Sequence, residues 1–362
     1  MTDPERLMRE ALAEASKGLG HTAPNPPVGA VVARDGRIVG RGHHARAGAP
    51  HAEPVALADA GAAAEGADLY VTLEPCCTTG RTPPCTEAIK KAGIRRVFVG
   101  CTDPYPPHAG RAYGILRAAG IEVIENVLEA ECRDLVRAFA FAVTRKLPYV
   151  TLKFGASLDG RIADGDGRSR WITGPQCRER VQELRRRVDA VLVGTETLLL
   201  DNPELMPRPP EGRAPLRLVP DRRGRLPADL KVFTDASAKR TCCLLGENVP
   251  ARHAEMLKAK GVQVLEAPET ETGFDWGAVL HELCRRGVHH ILCEGGGQLA
   301  AALLEADLVN EMYWGQAPIL LGSAGRPAVD RSWSLASAPR LRRISLEVLG
   351  EDVWMRFQRI ES

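Results

Sequence analysis

The sequence predicts an α/β protein of two domains, and three observations carry that expectation. Its 362 residues, at about 150 residues per domain, fit two domains better than one. Strand and helix signals alternate in two successive runs. Between the runs, near 145–149, charged Arg145 and Lys146 and then Pro148 follow an apolar helical stretch. The expected domains are 1–146 and 147–362.

In the first run, Pro4 opens a helix. Leu7, Met8, Ala11, Leu12 and Ala15 recur along it at helical spacing, and Gly18 closes it. Two short apolar runs, 28–32 and 38–39, are joined across Asp35-Gly36, a dipeptide that tolerates the left-handed backbone of a tight hairpin. A strand at 69–73, a helix at 85–91 stopped by Gly93, and a strand at 96–99 follow. A helix at 111–119 and a strand at 121–124 come next.

The second run begins with a strand at 149–154, a Gly- and Asp-rich loop, a helix over 177–188 and a strand at 190–193. Further strands are expected at 216–219, 241–245, 262–265 and 290–293, with helices at 251–260, 276–286 and 298–305. An antiparallel pair, 341–348 and 353–360, closes the chain. The Pro- and Arg-rich stretch 207–215 reads as a loop, and no repeat of 20–50 residues is visible.

Composition narrows the function. Hydrophobic residues are 44% and charged ones 26%, which excludes a disordered or fibrous chain. Lys and Arg number 48 against 46 Asp and Glu, a formal charge of +2. A polyanion-binding surface calls for a larger or more segregated positive excess, so no nucleic-acid or membrane partner is expected. No apolar run approaches the ~18 residues of a membrane span, and MTDPERLMRE lacks the apolar core of a signal peptide. The expectation is a soluble, cytoplasmic protein. Ten cysteines are spread along the chain; without a secretory context they read as buried thiols or metal ligands rather than a disulfide framework.

One cysteine cluster has ligand order. His51-Ala52-Glu53 is followed by LYVTLE, Pro75-Cys76-Cys77 and then Cys85. One imidazole and two thiolates can fill three tetrahedral positions around zinc and leave the fourth for water, whose pKa zinc lowers to ~7. Glu53, two residues from His51 at a helix start, can shuttle that proton to a leaving amine. The nucleobase-deaminase signature is His-x-Glu followed by Pro-Cys-x-x-Cys, whereas here the second usable cysteine lies nine residues after Cys76. Cys77 is a bystander, because adjacent side chains seldom converge on one ion. Singly, each residue reads as a surface histidine or a core thiol; a structural zinc would want a fourth protein ligand.

The second half shows LKFGASLDGRIA, SRWITG, GTETLLLDNPELMPR and a strand HHILC ending in Glu294-Gly295-Gly296-Gly297. Glycines between a strand and a helix N-terminus let backbone N–H groups approach a phosphate. Taken alone, such a cluster also reads as a plain turn, and it lacks the GxGxxG spacing of a Rossmann site. Lys153 on a strand can snorkel to solvent, Arg185 can be solvated, Arg208 can be loop charge and Trp171 can be core.

Together, PNPPVGAVVARDG, HAE, TLEPC, GRTPPC and DPYPPHAG resemble the deaminase domain of the bifunctional riboflavin-biosynthesis deaminase–reductases. ASLDGRIA, SRWITG, DNPEL and EGGG resemble the reductase domain of the same family, and the likeness covers about 1–355. It implies a cytidine-deaminase-like three-layer zinc domain followed by a dihydrofolate-reductase-like α/β domain. It implies His51, Cys76 and Cys85 as ligands of one zinc ion, Glu53 as proton shuttle, and Asn25 and His44 as substrate contacts. In the reductase half it implies Gly155, Trp171, Thr197, Asp201, Gly296 and Gly297 on NADPH. Ser169, Arg185, Leu205, Arg208 and Glu294 would hold the ribosylaminopyrimidine phosphate, with Lys153 and Asp201 flanking the reacting ribose carbon. The implied chemistry is hydrolytic deamination of a diaminopyrimidinone and then reduction of its ribosyl group to ribityl, in a homo-oligomer.

The chain departs from the family pattern at several points. It has Cys77-Thr78 for the usual Ser-His, Tyr105 for Asn, and Pro54 for an aliphatic residue. It has Met206 for Thr, Asn310 for Asp and Ser323 for Gly. Two alternatives follow: a zinc deaminase of free bases, nucleosides or tRNA, and a reductase whose N-terminal domain is a zinc-bearing structural relic. A tRNA partner fits poorly with the near-neutral charge.

Overall fold

The computed structural model describes residues 3–79, 83–210 and 213–360, which fall into two compact units, 1–147 and 148–362. Residues 80–82 of the GRTPPC segment and residues 211 and 212 of the Pro/Arg loop lie outside the described residues.

The first unit runs α1 (Asp3–Ser16), β1 (Gly29–Arg34), β2 (Arg37–His43), α2 (Ala52–Ala60), β3 (Asp68–Leu73) and α3 (Cys85–Lys91). It continues with β4 (Arg96–Cys101), α4 (Arg111–Ala118), β5 (Glu122–Ile124) and α5 (Glu129–Arg145). The strands form one sheet in the order β2-β1-β3-β4-β5, antiparallel at β2-β1-β3 and parallel from β3 to β5. Asp35 and Gly36 take φ values of 52° and 75°, the left-handed pair that a two-residue hairpin requires.

Side chains alternate across a strand, and here both faces are apolar. Ala30, Val32, Leu69, Val71, Val97 and Val99 join α2, α3 and α4 in one cluster. Val31, Ala33, Tyr70 and Phe98 point the other way, against Leu7, Met8 and Ala11 of α1 and Cys132 and Val136 of α5. This makes the unit three-layered. Gly40 and Gly42 on β2 allow an unusually close helix, since a Cβ at either would collide with the backbone of α2. Those two glycines seat the start of α2, where His51 and Glu53 lie.

The second unit begins β6 (Tyr149–Ser157), β7 (Arg161–Ala163), α6 (Pro175–Arg187), β8 (Ala190–Leu192), α7 (Thr195–Asp201) and β9 (Leu216–Asp221). Then follow α8 (Lys231–Thr234), β10 (Thr241–Leu245), α9 (Ala251–Ala259), β11 (Gln263–Glu266), α10 (Trp276–Arg285) and β12 (His290–Cys293). The chain ends with α11 (Gly297–Glu305), β13 (Glu311–Ala317), β14 (Arg326–Pro327), β15 (Leu341–Leu349) and β16 (Asp352–Arg359). Nine strands form one sheet, β11-β10-β9-β8-β12-β6-β13-β16-β15. It is parallel from β11 to β13 and antiparallel across β13-β16-β15.

The central strands read as continuous apolar runs because helices cover both faces. Fully buried Arg217 on β9 is the exception. It pairs with Asp235 at 2.6 and 2.9 Å and donates to the carbonyls of Glu204 and Val232, so its charge is compensated inside the core.

Several elements depart from the sequence reading: β7, β13, β14, α7 and α8 carry no expectation of their own, and β6 runs on to Ser157, which puts Lys153 at mid-strand rather than near its end.

Candidate active sites

In the first unit, β3 ends at Leu73 and hands the chain to Cys76, while Cys85 is the first residue of α3 and His51 caps the start of α2. His51 Nδ1 lies 3.5 Å from Cys76 Sγ and 3.3 Å from Cys85 Sγ, and the three ligand atoms all fall within 4.8 Å of one another. Tetrahedral zinc with bonds of ~2.3 Å to sulfur and ~2.0 Å to nitrogen places those atoms about 3.5 Å apart, so the donor set fits the ion by spacing as well as by chemistry. The Cys85 backbone N–H donates to Cys76 Sγ at 3.3 Å. The hydrogen bond from Cys85 holds the Cys76 thiol below the usual thiol range, and His51 adds to it; the bond to Cys76 and then burial push Cys85 up. Cys77 is not part of the cluster.

Glu53 is 3% exposed. Burial, followed by the Cys76 charge, raises its pKa to about 7, the range in which a carboxyl both takes and gives protons at neutral pH. Its cavity, of about 280 Å³, is also lined by Asn25 and His44. His44 Nδ1 faces the Pro50 carbonyl at 3.0 Å and must donate there. Its Nε2 is therefore an acceptor for the Asn25 amide, also at 3.0 Å. Burial lowers the His44 pKa, and the arrangement leaves the Asn25 carbonyl oxygen and one N–H for a ligand.

Sequence reasoning missed Glu74, Asp103 and His108. Glu74 is buried and accepts the backbone N–H groups of Asp103, Gly110 and Ala112 at 3.1, 2.8 and 2.9 Å, tying the loop after β4 to the end of β3. Asp103 and His108 line the cavity. The segment DPYPPHAG was visible, but a single histidine among prolines gave no sign of where it would point.

In the second unit a cavity of about 840 Å³ opens at the C-terminal ends of β6, β8, β9 and β12, where open parallel sheets bind ligands. All twelve expected residues of this half line it. Lys153 is half-buried on β6; desolvation lowers its pKa, and the Glu294 charge opposes that. Arg185 reaches Glu294 through two hydrogen bonds of 2.5 and 2.8 Å and the Met206 carbonyl at 3.0 Å. Its fork is thereby already occupied. Ser169 Oγ lies 3.1 Å from both carboxylate oxygens of Asp201, at the end of α7. Leu205 is buried with φ 60°, and Arg208 presents an exposed side chain while its backbone N–H donates to Gln182.

Gly295 and Gly296 have φ values of 102° and 91°, open only to glycine at low cost. They lead into α11, and any Cβ on Gly297 would meet the Pro327 carbonyl at 2.6 Å. The result is a bare helix N-terminus, suited to an anion such as a dinucleotide phosphate. Gly155 sits beneath Thr173 and Lys153. Trp171 is 65% exposed, with Arg178 4.5 Å over its ring, and Thr197 lies by Gly296. The bare phosphate cradle and the exposed indole fit a nicotinamide dinucleotide.

Comparison with known proteins follows the same division. Residues 148–355 match the RibD C-terminal domain and residues 1–101 the zinc-binding region of cytidine and deoxycytidylate deaminases. The chain is 40% identical over 356 residues to the riboflavin biosynthesis protein RibD of Aquifex aeolicus, covering 98% of each. It is 39% identical over 369 residues to RibD of Escherichia coli, covering 96% of this chain and 97% of the relative. Among solved structures, a diaminohydroxyphosphoribosylaminopyrimidine deaminase/5-amino-6-(5-phosphoribosylamino)uracil reductase from Thermotoga maritima matches at a TM-score of 0.87 and 35% identity, over 99% of both chains. RibD of Acinetobacter baumannii matches at 0.87 and 36%, also over 99% of both.

Proposed function

The chain belongs to the RibD family of riboflavin-biosynthesis proteins, and from that premise we propose how its residues divide the work. It is a bifunctional enzyme, a zinc-dependent deaminase joined to an NADPH-dependent reductase acting on a pyrimidine ribosyl phosphate. The observation that carries the reading is the convergence of His51, Cys76 and Cys85 beside buried Glu53. A structural relic has no use for an acid–base group there.

When bound, zinc supplies a water acidic enough to ionise at neutral pH, and NADPH supplies a hydride. His51, Cys76 and Cys85 hold the ion. Glu53 takes the proton of the attacking water and returns it to the departing amino group, so that ammonia leaves and a carbonyl remains on the ring. Asn25, oriented by His44, holds the ring edge.

In the reductase half, Gly296 and Gly297 cradle a cofactor phosphate, while Gly155, Trp171 and Thr197 frame the rest of the cofactor. Lys153 and Asp201 flank the sugar carbon that accepts the hydride in its ring-opened imine form. Ser169, Leu205 and Arg208 hold the substrate phosphate side. Arg185 acts there through Glu294, because its own fork is occupied.

We further place the enzyme in the cytoplasm as a homo-oligomer. No described helix is long and apolar enough to cross a membrane. Edge strand β15 exposes Ile344, Leu346 and Val348, an apolar row that a second copy would cover.

The test is a paired assay on zinc-replete protein with the diamino-ribosylaminopyrimidinone phosphate. Ammonia should appear without NADPH, and nicotinamide absorbance should fall once NADPH is added. NADPH oxidation on supplied deaminated intermediate, with no ammonia from the diamino compound, would favour the relic instead.

A further inference from the structure

The turn that leads into α6 is gripped at a single peptide from two sides. The Gly174 N–H donates to Asp352 Oδ2 at 2.6 Å, and Arg178 Nη1 donates to the Thr173 carbonyl at 2.7 Å. These are the two polar ends of the one peptide between Thr173 and Gly174, so its plane is fixed. Arg178 also lies 4.5 Å over the Trp171 ring, which extends the hold to the exposed indole.

The sequence around this turn has no local means of doing so. Gly174 is the N-cap of α6 and carries no side chain, and Pro175 follows it without an N–H. The carboxylate comes instead from 178 positions further along the chain. A Cβ on Gly174 would stand only 3.2 Å from it, so glycine lets it approach. Asp352 is 4% exposed and opens β16. The same carboxylate takes the hydrogen bond of the Cys177 thiol in the first turn of α6; burial and then this bond push that thiol up to about 12. A negative group there also suits the positive end of the helix dipole. The frame that carries Asp352 is shared with the cavity. Trp354, two residues on, stands opposite Gly315, and Gly315 stands opposite Gly155 on β6. Trp354 also packs with Cys177 and Val181 of α6.

A helix cap would need the carboxylate alone; the second grip, by Arg178, acts on what the peptide carries. A Cβ on Gly155 would meet Thr173 Oγ1 at 3.3 Å and Lys153 Nζ at 3.5 Å, so these three share one corner of the cavity. Trp171, Thr173 and Arg178 line that cavity, whereas Asp352 is not among the described residues that do. Hydride has to be delivered beside Lys153, so the nicotinamide end of the cofactor comes to this corner and meets Thr173 and Trp171. A wall fixed beforehand spares the cost of ordering it on binding.

We propose that Asp352 and Arg178 clamp the Thr173–Gly174 peptide and so hold Thr173 and Trp171 as the wall on which the nicotinamide end of NADPH seats. Asp352 is a positioning residue, since it reaches the cofactor only through that peptide. The proposal rests on the reductase reading.

The test follows NADPH oxidation by full-length, zinc-replete protein on supplied deaminated intermediate. Asp352→Ala should raise KM for NADPH about tenfold, the size of one charge-assisted hydrogen bond, and leave KM for the pyrimidine unmoved. Asp352→Asn keeps an acceptor for the Gly174 N–H and should restore KM to within about threefold of wild type. Arg178→Gln should raise KM for NADPH in the same direction. Because both side chains hold one peptide, the double variant should lose less than the product of the two single losses. Arg178 is only half-buried, so its variant and the Asn variant decide the matter if Asp352→Ala does not fold. An unchanged KM for NADPH, with or without a lower kcat, would mean that Asp352 merely stabilises α6 and would overturn the clamp. Losses that multiply independently would overturn it too, while leaving the reductase reading intact. Wild-type protein that oxidises no NADPH would overturn both.

Discussion

Arg185 and Glu294 illustrate how a residue can be correctly placed and do something other than its type advertises. An arginine beside a phosphate site invites a bidentate grip, yet two of its nitrogens lie 2.5 and 2.8 Å from the Glu294 carboxylate. Burial works against both charges; each is kept ionised by the other, so that Glu294 lies below the usual carboxyl range and Arg185 above its own. Removing one partner strands the other. Glu294→Ala should cost about 3–5 kcal/mol, read as a lower thermal midpoint for the reductase half, together with loss of NADPH oxidation. A midpoint that does not move would mean Arg185 finds another partner. The zinc ligands were legible because His-x-Glu and two cysteines in order have little else to do. Arg185's partner was not, since Glu294 lies 109 positions away in the chain.

At the scale of elements, the two β2 glycines set how near α2 comes, and with it where His51 and Glu53 stand. Gly42→Val would drive a side chain into the α2 backbone and cost about 1–3 kcal/mol by overpacking. Zinc per chain should fall and ammonia release should drop about tenfold or more, with reductase turnover retained. Full zinc occupancy and normal ammonia release would show that α2 tolerates the shift. Across the second unit, Gly296→Ala, at φ 91°, should raise KM for NADPH about tenfold or more while deamination is untouched; equal KM values would remove the glycine turn from the cofactor site. Alternation of apolar and turn signals made most elements readable. It failed at β13, where Glu311 is fully buried against Arg356 and Thr151 and Gly315 packs under Trp354. A charged residue and a glycine at core positions hide a strand. It failed again at α7, whose Leu199 and Leu200 are exposed, so no apolar stripe marks the helix.

At the scale of the whole molecule, two compact units each carry a complete set of chemical groups, so the two activities should be separable within one chain. Stripping zinc with a chelator should abolish ammonia release and leave NADPH oxidation on supplied deaminated intermediate unchanged; loss of both together would mean the ion also supports the reductase half. The central claim is that the first unit is a working deaminase in which Glu53 moves the proton. Its most direct test is Glu53→Gln in the full chain, with zinc per chain, ammonia release and NADPH oxidation measured on one preparation. Zinc and NADPH oxidation at wild-type levels with ammonia release down by about a hundredfold or more is the predicted result. Ammonia release that survives the substitution would contradict the account and move the proton to another residue.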